Sequence, residues 1–129
     1  MIARLMGLPV ISPRDLHERM RHGPVLVVDV NAESRWLAAR VPGARHADPV
    51  SFAEDDLPAD RDTAVVFYCS GPLCRKAPNA ARRARGWGYR NVIVMSAGIT
   101  GWLEAGLPTE SGAGAIGEDA PAATRSRTG

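Results

Sequence analysis

The feature that most constrains the fold is an alternation of short apolar runs with segments of helical pattern. Three runs are rich in β-branched residues and almost wholly apolar: VLVVDV (25–30), AVVFY (64–68) and NVIVM (91–95). Runs of this kind are typical of strands that are buried on both faces, as in a parallel sheet. Because helical segments separate them, the sequence predicts an α/β domain with a mainly parallel sheet.

Helical patterns lie around and between these strands. The first predicted helix begins after Ser12, because Pro13 suits a first helical position and Asp15 is placed as a capping-box-like acid. Further helices are predicted over residues 32–40, 78–85 and 98–106. The third of these four helices has alanines on one face and arginines on the other, which predicts a buried alanine face.

The length of 129 residues favours a single domain. Residues 1–11 are interpreted as a lead-in and residues 12–108 as the folded domain. Residues 109–129 are rich in glycine, alanine and serine and contain one large apolar residue, Ile116. A disordered C-terminal tail is therefore predicted for residues 109–129.

Charge and hydropathy narrow the expected partners. No apolar run approaches the ~20 residues of a membrane span, and the N-terminus lacks the long apolar core of a signal peptide. We therefore expect a cytoplasmic protein that has no membrane partner. The net charge of +2 is too small to indicate nucleic acid binding. The abundance of arginine and alanine favours a bacterial origin.

The two cysteines of the chain, Cys69 and Cys74, are the main candidates for chemistry. Cysteines in a cytoplasmic chain are more often catalytic or redox-active than structural. The chain has no second cysteine pair, and its three histidines show no ligand spacing, so no metal site is predicted. No cofactor is predicted either.

Cys69 follows a predicted strand directly, and ligand sites of parallel α/β sheets lie at the carboxyl ends of strands. Gly71 and Pro72 favour a sharp turn into the next helix, whose positive end and N–H groups would favour a thiolate. Arg75 and Lys76 add positive charge. The pattern favours nucleophilic sulfur chemistry on an anionic substrate. The alternative interpretation is that Cys69 is a small buried apolar residue.

Three blocks of the sequence, in order, resemble the rhodanese-like domain over most of residues 12–108. They are LVVDVNAESRWLAARVPGARH, VVFYCSGPLCRKAPNAARRARGWGYRNV and VMSAGITGWLEAGLP. The resemblance implies a mainly parallel five-stranded sheet with helices on both faces. It also implies that the chain is a sulfurtransferase.

In such an enzyme, Cys69 would be the catalytic residue and would carry a persulfide. The donor would be a small sulfur-containing anion such as thiosulfate, and the acceptor would be cyanide, a thiol or a sulfur-carrier protein. Backbone N–H groups of the loop would hold the substrate anion. The loop comprises Ser70, Gly71, Pro72, Leu73, Cys74 and Arg75.

The chain departs from the family pattern in its first block and in its loop. Asn31, Arg35 and Arg40 stand where the family usually has Arg, Glu and His. We expect surface and salt-bridge positions for all three, with altered pairing and no loss of chemistry. The loop is about two residues longer than the short single-domain pattern, with the Cys69-x5-Arg75 spacing of related phosphatases. Its interior, Gly-Pro-Leu-Cys, lacks their small polar residues, which makes phosphatase or arsenate reductase activity a minor alternative.

Cys74 leaves three further alternatives open. It is a resolving thiol that attacks a Cys69 persulfide, a thiol that shields Cys69 from over-oxidation, or an inert buried thiol. At the level of the whole protein, the alternatives to a sulfurtransferase are a non-catalytic interaction or sulfur-relay module and a Cys69–Cys74 thiol–disulfide redox protein.

Overall fold

The computed structural model describes residues 2–113, which contain five α-helices, one 3₁₀ turn and four strands. The helices are α1 (Ile2–Leu5), α2 (Pro13–His22), α3 (Glu33–Ala38), α4 (Lys76–Gly86) and α5 (Gly98–Glu104). The strands are β1 (Leu26–Asp29), β2 (Arg45–His46), β3 (Val65–Tyr68) and β4 (Val92–Val94), and the 3₁₀ turn covers Glu54–Asp56. Within this part of the chain, no helix combines the length and the apolar character needed to cross a membrane.

The four strands form one parallel sheet in the order β2-β1-β3-β4. The predicted parallel α/β architecture is therefore confirmed, but residues 2–113 form four strands and not the five that were predicted. The missing strand is reduced to a single parallel bridge between Val10 and Val94. Its segment cannot extend, because Pro9 has no N–H group and α2 already begins at Pro13.

Helices cover both faces of the sheet. Side chains alternate along the buried central strand β3, so neighbouring residues of this strand pack against helices on opposite faces. Val65 and Phe67 pack in one cluster with the alanine face of α4. Val66 and Tyr68 pack in the other, which includes Leu16 of α2 and Trp102 of α5. The buried alanine face predicted for the helix over residues 78–85, which corresponds to α4, is confirmed: Ala77, Ala80, Ala81 and Ala84 are all buried.

Helix α4 begins at Lys76, two residues before the predicted start. Pro78 was expected to open the helix, yet it occupies the third helical position. Proline is tolerated there because the N–H groups of the first turn have no acceptor within the helix. The earlier start places the N–H of Ala77 in the first turn, directly after the cysteine loop.

Arg40 is a buried residue, so its predicted surface position is wrong; its side chain is 1% exposed. The guanidinium lies over the Trp36 ring, 4.0 Å from the ring centre, and donates hydrogen bonds to the carbonyls of Trp36 (3.0 Å) and Gly112 (2.8 Å). Its Nε is 3.7 Å from a carboxylate oxygen of Glu110, so the salt bridge expected at this position is present. Burial of this cation is offset by these acceptors and by the aromatic face.

Asn31 is also buried, whereas Arg35 is exposed as expected. Hydrogen bonds of the Asn31 main chain hold this residue in its buried position. Its N–H donates to Oδ1 of Asp29 (2.8 Å), and its carbonyl lies 2.7 Å from Nε2 of His46. The prediction of a surface position for Asn31 is therefore wrong, because the turn after β1 folds inward onto β2.

The first residues of the predicted tail lie against the domain. Arg40 and Glu110 exchange two main-chain hydrogen bonds of 3.0 Å, and the N–H of Gly112 donates to the carbonyl of Leu37. Residues 114–129 lie outside the described part of the chain, so the disorder predicted for them stays a prediction.

Candidate active site

Cys69 lies at the carboxyl end of β3, where the chain turns into the loop of residues 70–75 and then into α4. The cysteine is 3% exposed. Its Sγ accepts a hydrogen bond from the N–H of Ala77 across 3.4 Å. Arg75, the N-cap residue of α4, makes no side-chain capping bond. The positive end of the helix therefore faces the sulfur, an arrangement that favours the thiolate over the thiol.

The first half of the loop is attached to α5. The carbonyls of Cys69 and Ser70 accept hydrogen bonds from the N–H groups of Ile99 (2.9 Å) and Thr100 (3.1 Å). Gly98 makes this approach possible: a β-carbon there would lie 2.5 Å from the carbonyl carbon of Ser70. The loop is thus held between the starts of two helices that pack on opposite faces of the sheet.

The second half of the loop projects to solvent and then returns. Pro72 and Leu73 are exposed, Leu73 by 84%. The N–H of Cys74 donates to the carbonyl of Gly71 (3.1 Å), which closes a turn. This turn brings the half-buried Cys74 back over Cys69.

Cys69 and Cys74 are joined as a disulfide, with their Cα atoms 6.5 Å apart. This separation lies within the range that a disulfide requires. The tight loop predicted from the sequence therefore brings the two cysteines together. A resolving role for Cys74 is sterically available.

Positive charge borders the site on the side of α4. Arg75 and Lys76 are both exposed, at the end of the helix that faces Cys69. A small anion that approaches the site would be attracted by these two exposed cations before it reached the buried sulfur of Cys69. The assignment of the loop residues from Ser70 to Arg75 to anion binding stays a prediction, and the N–H of Cys74 is already bonded within the loop in the disulfide state.

Asp29 and Tyr68 form a buried polar pair directly below the loop, and they are paired in register between β1 and β3. Both are fully buried. Oδ1 of Asp29 accepts the Asn31 N–H, while its Oδ2 has no hydrogen-bond partner among the described residues. Burial raises the pKa of Asp29. Burial, and then the Asp29 charge, raise the pKa of Tyr68, whose hydroxyl accepts the N–H of Val41.

Main-chain donors at the start of the next helix were predicted, but the sequence did not identify the N–H of Ala77 as the one that reaches Cys69. The contact of Gly98 with the loop was not predicted. Gly98 stands in the third of the blocks that resemble the rhodanese-like domain, but the partner of a glycine becomes visible only when the two segments pack together.

A model of the rhodanese-like domain matches residues 12–105. The HTH-type transcriptional regulator Rv0324 of Mycobacterium tuberculosis is 36% identical over 115 residues, which are 86% of this chain and 50% of the regulator. Thiosulfate sulfurtransferase GlpE of Haemophilus influenzae is 30% identical over 106 residues, which are 82% of this chain and 98% of GlpE. This chain thus spans half of the first relative and nearly all of the second.

Solved structures show the same fold. The crystal structure of the BH2092 protein from Bacillus halodurans superposes with a TM-score of 0.72 at 23% identity, over 80% of this chain and 77% of that one. Other relatives are named as an arsenate reductase and a tRNA uridine(34) hydroxylase. The fold and the family therefore leave the reaction open, and the reaction has to be argued from the site.

Proposed function

This chain belongs to the rhodanese-like domain family, and we propose that it is a sulfurtransferase that carries sulfane sulfur as a persulfide on Cys69. The observation that carries the proposal is the hydrogen bond of 3.4 Å from the Ala77 N–H to Cys69 Sγ. It places the cysteine at the N-terminus of an 11-residue helix, where negative charge on sulfur is stabilised. The similarity to GlpE over nearly its whole length supports the same reaction class.

The proposed reaction has two transfers. The Cys69 thiolate attacks the outer sulfur of thiosulfate, a sulfur–sulfur bond forms, and sulfite leaves with the bonding electron pair. A nucleophilic acceptor such as cyanide or a thiol then takes the outer sulfur and returns Cys69 as the thiolate. The exposed cations Arg75 and Lys76 favour approach of the anionic donor. A sulfur-carrier protein is the proposed macromolecular acceptor.

The reduced form is the one that can react. Cys69 is 3% exposed, and its sulfur is bonded to Cys74. A donor therefore reaches Cys69 only after the disulfide has been opened. We propose that the protein works in a reducing compartment, the cytoplasm, where thiols predominate.

A thiol–disulfide redox protein is the second candidate function, and the Cys69–Cys74 disulfide is the observation that favours it. In this case oxidation and reduction of the pair would be the activity itself. The two candidates differ in the source of the oxidising equivalent, which is sulfane sulfur for the transferase and an oxidant for the redox protein.

Sulfite release tests the proposal. Reduced protein, freed of reductant under anaerobic conditions, is mixed with thiosulfate, and sulfite is measured beside the intact mass. We expect the wild type to release sulfite, and Cys74→Ser to release sulfite and gain the mass of one sulfur atom. Cys69→Ser should do neither while keeping its circular dichroism spectrum. Absence of sulfite from both the wild type and Cys74→Ser would show that the chain is not a sulfurtransferase of this kind.

A further inference from the structure

We propose that the protein also reduces sulfane sulfur to sulfide, with Cys74 as the resolving thiol and an external dithiol as the reductant. This inference rests on the proposed formation of a Cys69 persulfide. It adds a different product to that reaction: the outer sulfur leaves as hydrosulfide instead of passing to an acceptor. The class of substrate is a sulfane-sulfur anion, and the class of co-substrate is a small or protein dithiol.

The contact between the two sulfur atoms decides which bond would break. In a persulfide on Cys69, Sγ of Cys69 is the inner sulfur, and the transferred sulfur is the outer one. The structure places Sγ of Cys74 against Sγ of Cys69, with Cα atoms 6.5 Å apart. Attack at that inner sulfur expels the outer sulfur, whereas attack at the outer sulfur would only move the persulfide to Cys74.

The electrons and atoms balance in two steps. The Cys74 sulfur bonds to the inner sulfur, and its proton passes to the outer sulfur of the persulfide anion. The bond between the inner and outer sulfur breaks, and the outer sulfur leaves with the electron pair as hydrosulfide. Cys69 and Cys74 are then a disulfide. A dithiol reduces this disulfide and becomes a disulfide itself. The net reaction converts thiosulfate and a dithiol into sulfite, hydrogen sulfide and the oxidised dithiol.

The loop favours this internal attack over attack by an external thiol. Cys69 is buried, and Cys74 is half-buried directly over it, held by the turn from Gly71. An attacking thiol on the same short loop does not have to be bound from solution, which gives it a large kinetic advantage. Arg75 and Lys76 follow Cys74 directly and add positive charge that favours its thiolate.

The loop is also anchored so that its parts keep their relative positions. Its beginning is fixed by the hydrogen bonds from Ile99 and Thr100, and its end by the start of α4. The Ala77 N–H bonds to the Cys69 sulfur even in the disulfide state. Of the loop residues, Cys74 and the exposed Leu73 lie outside these anchors, so we infer that opening of the disulfide moves chiefly this part of the loop.

A single-turnover experiment tests the inference. Reduced full-length protein, freed of reductant under anaerobic conditions, receives an excess of thiosulfate, and sulfite, sulfide and intact mass are followed together. For the wild type we expect sulfite and sulfide in equal yields, each close to one per protein, and a mass lower by two hydrogen atoms. Cys74→Ser should stop at the persulfide: it releases sulfite, gains one sulfur atom, and gives at least about tenfold less sulfide.

The outcomes separate this inference from the proposed function. If the wild type releases sulfite but retains the sulfur atom and yields no sulfide, internal reduction is wrong and the sulfurtransferase proposal stands. If neither the wild type nor Cys74→Ser releases sulfite, the persulfide is never formed and both proposals fail.

A second experiment measures the steady rate of sulfide production from thiosulfate and dithiothreitol. This rate should be at least about tenfold slower for Cys74→Ser than for the wild type. Equal rates would also overturn the resolving role.

Discussion

Gly98, the first residue of α5, packs directly against the main chain of Ser70 in the cysteine loop. A β-carbon at Gly98 would lie 2.5 Å from both the carbonyl carbon and the carbonyl oxygen of Ser70. The glycine also has a φ of +67°, which other residues adopt only with strain. The loop that presents Cys69 is therefore positioned by a helix that begins almost thirty residues later in the chain.

The first prediction concerns this contact. Gly98→Ala should lower the free energy of unfolding by about 2–4 kcal/mol, because strain at positive φ and a backbone clash add together. Sulfite release from thiosulfate should also slow, since the loop has to shift. Urea denaturation checks the first effect. Gly86→Ala is the matched control: Gly86 ends α4 with open space around it, so a gain of up to about 1 kcal/mol is expected. Equal stability of the two variants would contradict the prediction.

The second prediction concerns the buried cation. Arg40→Ala should lower the free energy of unfolding by about 2–4 kcal/mol, because two carbonyl acceptors and the face of Trp36 lose their partner. The contact with residues 110–112 should loosen with it, which amide exchange at Gly112 would report. The exposed Arg35 offers the control, since Arg35→Ala should change stability by no more than about 0.5 kcal/mol. If Arg40→Ala lowered the free energy of unfolding no more than Arg35→Ala does, the contacts of Arg40 would not stabilise the fold as predicted.

The third prediction is a pH dependence that comes from Asp29. Its pKa is raised by burial above the ordinary value of 3.8, so the folded protein binds this proton more tightly than the unfolded chain does. The stabilising contribution is full below pH 3.8 and is lost as the pH rises through the raised pKa. The stability of the wild type relative to Asp29→Asn should therefore fall as the pH rises, and urea titrations at several pH values measure it.

Asp48 supplies the control of opposite sign. The N–H groups of Val50 and Ser51 donate to its carboxylate and lower its pKa. The stabilising contribution of the Asp48 carboxylate to folding is present above the ordinary pKa of 3.8 and is lost as the pH falls through the lowered pKa. Relative to Asp48→Asn, the wild type should thus gain stability as the pH rises. Parallel pH profiles for the wild type and Asp29→Asn would rule out the buried carboxyl as a source of pH dependence.

The fourth prediction concerns oxidation. Mild peroxide should convert reduced protein to the Cys69–Cys74 disulfide, because the Cα separation of 6.5 Å already permits the bond. Sulfite release from thiosulfate should fall by at least about tenfold and return fully with dithiothreitol. In Cys74→Ser the same treatment should add oxygen to Cys69 and cause a loss that the dithiol does not fully reverse. A wild type that also gains oxygen would show that Cys74 gives no protection.

Much of the fold followed from local pattern. The β-branched runs predicted three strands of the sheet, and Ser12 with Pro13 predicted the start of α2. These signals are short-range, because periodicity, capping and turn chemistry act over a few residues. The two-residue strand β2 had no such signal. The absent fifth strand shows the limit of a family pattern, since Pro9 and Pro13 leave its segment room for one bridge only.

The buried polar residues show a second limit. Comparison with the family pattern predicts a surface, salt-bridged position for Arg40, yet the residue is buried. Its burial depends on Trp36, on Gly112 and on Glu110, two of which lie some seventy residues away. Asn31 is buried for a similar reason, through the contact of its turn with His46 on β2. A short window of sequence around Arg40 contains Trp36 but neither Glu110 nor Gly112, and a short window around Asn31 does not contain His46.

The sequence by itself determined the α/β class, the family and the place of Cys69 at the end of a strand. Each of these depends on which residue types follow one another along the chain and at what spacing, and the sequence shows this directly. The tertiary structure alone decided what surrounds that cysteine: the approach of Gly98, the N–H of Ala77 and the return of Cys74 onto the Cys69 sulfur. These contacts depend on how helices and loop pack together on the sheet, and packing is a property of the whole chain.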